Sequence, residues 1–229
     1  MNCKVFRYCA IFPIGLLHNS AEIVRLEEEL NLFGDILQGD YLESYNNLSL
    51  KTLSALRYAA VAYPTVEAIM KIDDDVAWNV PKVANYIKQI LPRSISCYKY
   101  DDRLPVRKPT SKWYTSYDEY PQEKFPPYCS GVAYIIHKDA LMPMLEVVPE
   151  QSFFWIDDVF ITGFLTRSAD IVFVKLNQFT ALKPLRKELL NITFYSDHMF
   201  YGNHKENIGR KFEQRRRGSS TNFYGCDDF

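Results

Sequence analysis

The chain has 229 residues, a net charge of −1, 47% hydrophobic residues and 24% charged residues. That length suits one large domain or two small ones, and the composition is that of a globular protein with a real core. The near-neutral charge excludes a broad attraction to nucleic acid or anionic membrane, and no run reaches the roughly 18 to 20 apolar residues of a membrane span.

Residues Val5–Ile14 read as a strand, and the first 17 residues lack the small-residue cleavage site of a signal peptide. Apolar residues at Ile23, Leu26, Leu30 and Phe33 recur at helical spacing through Ala21–Phe33, with Gly34 where a helix stops. A second helix covers Leu48–Tyr63, with Leu53, Leu56, Ala60 and Tyr63 on one side and Pro64 after its end. An apolar run from Val66 to Ile72 is short enough to be one buried strand. Pro81 then opens a helix to about Leu91, with Val83, Ile87 and Ile90 inward. The segment Arg93–Pro127 breaks this rhythm. It is rich in Pro and charge, and its Trp113, Tyr114, Tyr117, Tyr120 and Phe125 favour a structured binding loop over a linker. Gly131–His137 returns to a strand, Lys138–Val148 to a helix disturbed by Pro143, Asp157–Thr166 to a helix with acids in its first turn, and Asp170–Lys175 to a strand. Alternating strands and helices predict an α/β fold, a largely parallel sheet covered by helices.

The strand at Val66–Ile72 ends in three consecutive carboxylates, Asp73, Asp74 and Asp75. Adjacent acids repel one another and resist desolvation, so a core has no use for them without a cation or other partner. Open α/β sheets bind ligands at the C-terminal ends of their strands, and carboxylates suit a hard divalent ion. A divalent metal carrying a phosphorylated ligand is the first reading, and a solvated acidic turn the alternative.

Four ordered blocks carry a family resemblance. They are Phe33-Gly34-Asp35-Ile36-Leu37 with Tyr45 to Thr52; Lys71-Ile72-Asp73-Asp74-Asp75-Val76; Lys112-Trp113-Tyr114 followed by Tyr128-Cys129-Ser130-Gly131; and Asp157-Asp158-Val159-Phe160-Ile161-Thr162-Gly163. In this order the chain resembles the β-1,3-galactosyltransferase family, inverting enzymes of the GT-A fold that use nucleotide sugars. The resemblance implies a Rossmann-like domain with a mixed, mostly parallel sheet, over residues 1–204; residues 205–229, rich in Lys and Arg, read from their charge as a basic, weakly ordered tail.

It also implies a hexose, galactose or an N-acetylhexosamine, moving from a UDP-sugar to a glycan hydroxyl with inversion. Mn²⁺ would be the cofactor, held by Asp75 with Asp73 and a downstream histidine, His198 rather than His204. Lys71, Asp73, Asp74 and Gly131 would face the nucleotide sugar. Asp158 would be the general base, although a carboxylate in a helical first turn is stabilised as the anion and so weakened as a base. Asp157, where the family has Glu, and Trp113 would meet the acceptor. A Cys97–Cys129 disulfide would close the donor loop in an oxidising lumen; spacing gives no connectivity among five cysteines, and this bridge is not the expectation.

Family members begin with a cytoplasmic tail, a signal-anchor helix and a stem, so the resemblance implies a Golgi setting, and the chain reads as starting partway into the catalytic domain. Asn47-Leu48-Ser49 and Asn191-Ile192-Thr193 match the glycosylation pattern. A non-catalytic relative that binds UDP or glycan is the alternative. A Ca²⁺-dependent lectin is disfavoured, because the acids sit at a strand tip without a spaced ligand loop.

Overall fold

The computed structural model describes residues 7–181 and 194–196. Three sheets and their covering helices build it. Strand β1 (Phe12–Leu16) pairs in parallel with β2 (Ile36–Leu42), and α1 (Ser20–Phe33) connects them. The side chain of Asn19 caps the first amides of α1, and Gly34 ends it at φ 66°, a left-handed conformation that glycine adopts without strain. Helix α2 (Leu48–Ala62) then leads to β3 (Ala68–Ile72), β4 (Val76–Trp78) and α3 (Val80–Ile87).

The central sheet has the order β3-β6-β5-β7, with β5 at Ser94–Tyr100, β6 at Tyr128–His137 and β7 at Val172–Lys175. Helix α4 (Lys138–Glu146) follows β6 directly, and the side chain of His137 caps its start by accepting the Asp139 amide. A third sheet joins β4 to β9 (Phe194–Ser196) and β9 to β8 (Thr180–Ala181).

The α/β expectation holds, with a correction to the sheet. Among the described residues three strand pairs are parallel and three antiparallel. Strand β6 runs antiparallel between β3 and β5, because it is reached through the long loop rather than through a helical crossover. Both β2 and β5 lie where no strand was expected, and β5 occupies the start of the segment read as irregular. Its Ser-Ile-Ser-Cys-Tyr-Lys-Tyr alternation is buried on both faces as far as Cys97, so it reads neither as an amphipathic edge nor as an apolar run.

The core sits between the central sheet and helices α2 and α4, around Leu53, Leu56, Ile95, Tyr134, Ile136, Met144 and Phe160, each no more than 5% exposed. A second cluster, Val76, Val83, Ile90, Ala133, Ile135 and Leu176, lies on the opposite side of β6. Helix α1 departs from its sequence pattern: Ile23, Leu30 and Phe33 are exposed, and no residue of the helix is buried.

The loop from Arg103 to Phe125 is structured, as its composition suggested. The guanidinium of Arg107 donates to four backbone carbonyls, those of Thr115, Ser116, Tyr120 and Gln122, at 2.7 to 2.9 Å. It also stacks on the ring of Tyr117, 4.0 Å from the ring centre. Tyr120 and Phe125 anchor the loop against Phe154 and Phe164.

Candidate active site

The site forms where β3 ends and its partner β6 continues. The two strands pair from Ala68↔His137 to Ile72↔Ala133, and the Asp73 amide adds one more bond to the Val132 carbonyl at 3.1 Å. Beyond that point β3 turns away, the Val76 amide closing the turn on the Asp73 carbonyl. The edge of β6 from Tyr128 to Gly131 is thereby left without a strand on that side.

A composite helix docks onto this edge. It begins with one α-helical turn, Asp157–Val159, passes into a π-helical stretch, Phe160–Leu165, and ends in a last α turn, Thr166–Ser168. The continuous α-helix expected over Asp157–Thr166 is therefore corrected to a wider turn, of the kind found inside helices at functional sites. The Asp158 carboxylate accepts the Val159 amide at 2.9 Å and the Gly131 amide.

Lys71 ties the two acidic elements together. Its ammonium pairs with the Asp73 carboxylate, donates to the Gly131 carbonyl and lies 6.0 Å from the centre of the Tyr134 ring. Burial pushes its pKa down, but Asp73, Asp157 and Asp158 together more than offset this and hold the ammonium charged. Burial, opposed by Lys71, raises the carboxyl of Asp73. Asp158 moves furthest, to about 7, pushed up first by burial and then by the Asp157 carboxylate. The anion-favouring end of one helical turn loses to desolvation here, which reverses the sequence-based concern about its basicity.

Asp157 accepts a hydrogen bond from the Thr52 hydroxyl at 3.2 Å, so α2 fixes the first acid and β6 the second. Asp74 is exposed, whereas Asp73 and Asp75 are partly buried. Lys71, Asp73, Gly131, Asp157 and Asp158 thus lie together in one place. His198, His204 and the 205–229 tail lie outside the described residues.

No cluster of three His, Cys, Asp or Glu side chains able to hold a metal ion exists among the described residues. The donor chemistry of Asp73 and Asp75 fits an ion that takes one or two carboxylates from the protein and the rest of its ligands from substrate phosphates and water.

Trp113 does not pack beneath its loop. It is 47% exposed, and its ring N–H donates to the Tyr45 hydroxyl at 2.8 Å. Tyr45 in turn contacts Trp155, the ring centres 6.0 Å apart, and Lys112 spans the Tyr45 and Trp113 rings. Beside this group opens a cavity of about 520 Å³ lined by Asn46, Asn47, Lys112, Tyr114, Glu119 and the Phe153–Trp155 segment. Sequence reasoning quoted Tyr45 and Thr52 within a motif block but gave them no task. It passed over Trp155 and Tyr134, whose positions follow only from tertiary packing.

The Cys97–Cys129 disulfide is present, joining β5 to β6 two residues before Gly131, with the Cα atoms 5.6 Å apart. This corrects the expectation against it: the two strands are neighbours, which spacing did not show. The Asn47 triplet serves the fold, since Asn47 donates to the Leu42 carbonyl and the buried Ser49 hydroxyl to the Phe154 carbonyl. The Asn191 triplet lies outside the described residues.

Comparison with known proteins gives four findings. A family model described as Galactosyltransferase matches residues 1–177. Beta-1,3-galactosyltransferase 5 of Homo sapiens is 31% identical over 152 residues, covering 66% of this chain and 49% of the relative. UDP-GalNAc:beta-1,3-N-acetylgalactosaminyltransferase 1 of Sus scrofa is 36% identical over 138 residues, 59% of this chain and 42% of the relative. The chain therefore spans about half the length of the curated relatives it matches. A crystal structure of a glycosyltransferase involved in the glycosylation of the major capsid of PBCV-1 superposes with a TM-score of 0.43 at 15% identity, over 90% of this chain and 100% of that one. That likeness is too loose to carry an argument.

Proposed function

Because this chain belongs to the Galactosyltransferase family, we propose that it transfers a hexose, galactose or an N-acetylhexosamine, from a UDP-sugar to a glycan hydroxyl, forming a β-1,3 linkage with inversion. One observation carries the reading at the level of residues. The Asp158 carboxylate accepts two backbone amides, and burial with the Asp157 charge pushes its pKa up to about 7, where a general base works best at neutral pH.

In this reading Asp158 takes the proton of the acceptor hydroxyl while that oxygen attacks the anomeric carbon and the bond to UDP breaks. A fixed acid at this place acts by position as much as by basicity. Lys71, Asp73, Asp74 and Gly131 form the donor side, the ammonium of Lys71 keeping three carboxylates compatible in one small volume. Asp73 and Asp75, joined by His198, would hold Mn²⁺, which when bound offsets the negative charge that grows on the departing UDP.

Asp157 and Trp113 face the acceptor, with the Tyr45 and Trp155 rings offering the flat apolar surfaces that sugars stack on. A glycan on a glycoprotein or glycolipid suits the open cavity beside them. The setting we assign is the Golgi lumen, attached to its membrane in the manner of the family. Among the described residues no helix is long and apolar enough to cross a membrane.

The test is release of UDP from UDP-galactose, UDP-GlcNAc and UDP-GalNAc by the purified chain, with p-nitrophenyl glycosides of GlcNAc and galactose as acceptors, in Mn²⁺ and in EDTA. Metal-dependent turnover of one donor, abolished by Asp158→Asn and Asp75→Ala, is the expected outcome. A folded chain that binds UDP yet turns over none of the three donors would place it among non-catalytic relatives.

A further inference from the structure

We infer that Thr162 is a positioning residue for Asp158, locking the turn that carries this acid onto the free edge of β6. The inference rests on the reading of Asp158 as the general base. Its geometry is independent of that reading.

Backbone amides two residues apart on a strand point to the same edge. On β6 the amides of Cys129 and Gly131 stand two residues apart. Each is met by a side chain from the composite helix. The Thr162 hydroxyl accepts the Cys129 amide at 2.8 Å, and the Asp158 carboxylate accepts the Gly131 amide. The same Thr162 hydroxyl donates to the Asp158 backbone carbonyl. Cys129, Thr162, Asp158 and Gly131 thereby close a ring in which the helix docks on the strand by two rungs, one neutral and one charged.

The rest of the turn is fitted to this register. Thr162 and Thr166 are fully buried, and Thr166 donates back to the Thr162 carbonyl. A Cβ on Gly163 would approach the side chains of Pro126 and Tyr128 to 3.3 Å, so the π-helical stretch lies close against the segment entering β6. The disulfide fixes Cys129 from the opposite strand. The base is thus referenced, through one hydroxyl, to a rigid point of the central sheet. Sequence alone gave Thr162 no role beyond membership of a motif block.

The test compares Thr162→Val, which keeps the shape and removes both bonds, with Thr162→Ser, which keeps the hydroxyl. In the transfer assay above, Thr162→Val is expected to lower kcat by about 10- to 100-fold, the scale of a small misplacement of a catalytic group. UDP affinity and donor KM should stay within about twofold, and Thr162→Ser should restore most of the rate. In the Asp158→Asn background Thr162→Val should cost nothing further, because both act through one group. Wild-type kcat in a folded Thr162→Val variant, equal losses in both single variants, or additive losses in the double variant would each overturn the inference.

Hydrogen exchange supplies an arm that needs no turnover. The Gly131 and Val159 amides, which donate to Asp158, should exchange at least about tenfold faster in Thr162→Val, while the Ile95 amide in β5 keeps its rate. Unchanged exchange at both refutes the positioning. Should Thr162→Val not fold, Thr162→Cys, a weaker donor of similar size, takes its place in both arms with the same expected ranking. A wild-type chain without turnover, or an Asp158→Asn variant with full turnover, would remove the reading of Asp158 as base and leave the exchange arm to decide the position of the turn.

Discussion

Replacing Asp158 by Asn removes a carboxyl whose ionisation the fold opposes, and the loss should stabilise the protein in a pH-dependent way. Burial first and the Asp157 carboxylate second raise this group from 3.8 in the free side chain to about 7. Below about pH 4 it is protonated in both the folded and the unfolded chain, and its ionisation makes no difference to stability. As pH rises from there the unfolded chain loses the proton first, while the folded chain keeps it until about pH 7. The stability that comes from the bound proton is therefore full below the unfolded value and lost as pH passes through the folded one.

Each pH unit crossed in that window costs about 1.4 kcal/mol, so wild type should lose about 2 to 3 kcal/mol relative to Asp158→Asn between pH 5 and pH 8. The amide side chain offers one acceptor oxygen where the carboxylate serves two backbone amides, a pH-independent cost of about 1 to 2 kcal/mol to the variant. The change with pH is accordingly the cleaner readout. Urea unfolding of both proteins at pH 5, 6, 7 and 8, in EDTA and without nucleotide, measures it. At pH 8 the midpoint of the variant should have gained on that of wild type by an amount that shrinks steadily towards pH 5. A stability difference that is flat over this range, or one that grows as the pH falls, would show that Asp158 is not held above its ordinary range by burial.

Other perturbations reach different parts of the account. Lys71→Met leaves Asp73, Asp157 and Asp158 without their shared cation, and should cost about 2 to 4 kcal/mol by thermal or urea unfolding at pH 7.5, less at pH 5, where part of the acid charge is gone. Breaking the Cys97–Cys129 bridge by the double Cys→Ala substitution should cost about 2 to 4 kcal/mol, checked by urea unfolding with and without a reductant, which should then affect wild type more than the variant. Arg107→Ala strips four carbonyls of their partner and should open the 103–125 loop to limited proteolysis, with little change at sites in α2 or α4. Trp113→Phe keeps a flat ring and loses the bond to Tyr45; acceptor KM should rise about three- to tenfold while donor KM holds, which steady-state kinetics with each substrate varied in turn would read.

The sequence showed those parts of the molecule that local pattern controls. Helix α1 stops at Gly34, as the sequence indicated, because cap chemistry is local. The acids at 73–75 fall at a strand end because a short apolar run can go no further. The partners of each element were not legible. Strand β5 carries serines and lysine, is buried on both faces as far as Cys97 and has a neighbouring strand on each edge, so no simple period marks it. The antiparallel insertion of β6 depends on a 27-residue excursion whose path is set by Arg107 and the aromatic cluster around Tyr120, contacts that form only in the folded chain.

The same distinction holds at the site. Asp158 and Lys71 were found from motif context, but the direction of the Asp158 shift was not, since helix-end electrostatics and desolvation oppose each other and only the packing decides between them. Thr162 sat in plain view in a motif block. Its importance appears once the Cys129 amide is seen to lack a strand partner. The stripe on α1 errs in the other direction, an amphipathic pattern none of whose residues is buried.

The proposed inverting transfer with Asp158 as base is read by following the product of an α-linked UDP-sugar by proton NMR, with wild type and Asp158→Asn in parallel. Wild type should give a β-linked product, and the variant a rate at least about 100-fold lower. An α-linked product, or a variant that transfers at the wild-type rate, would contradict it.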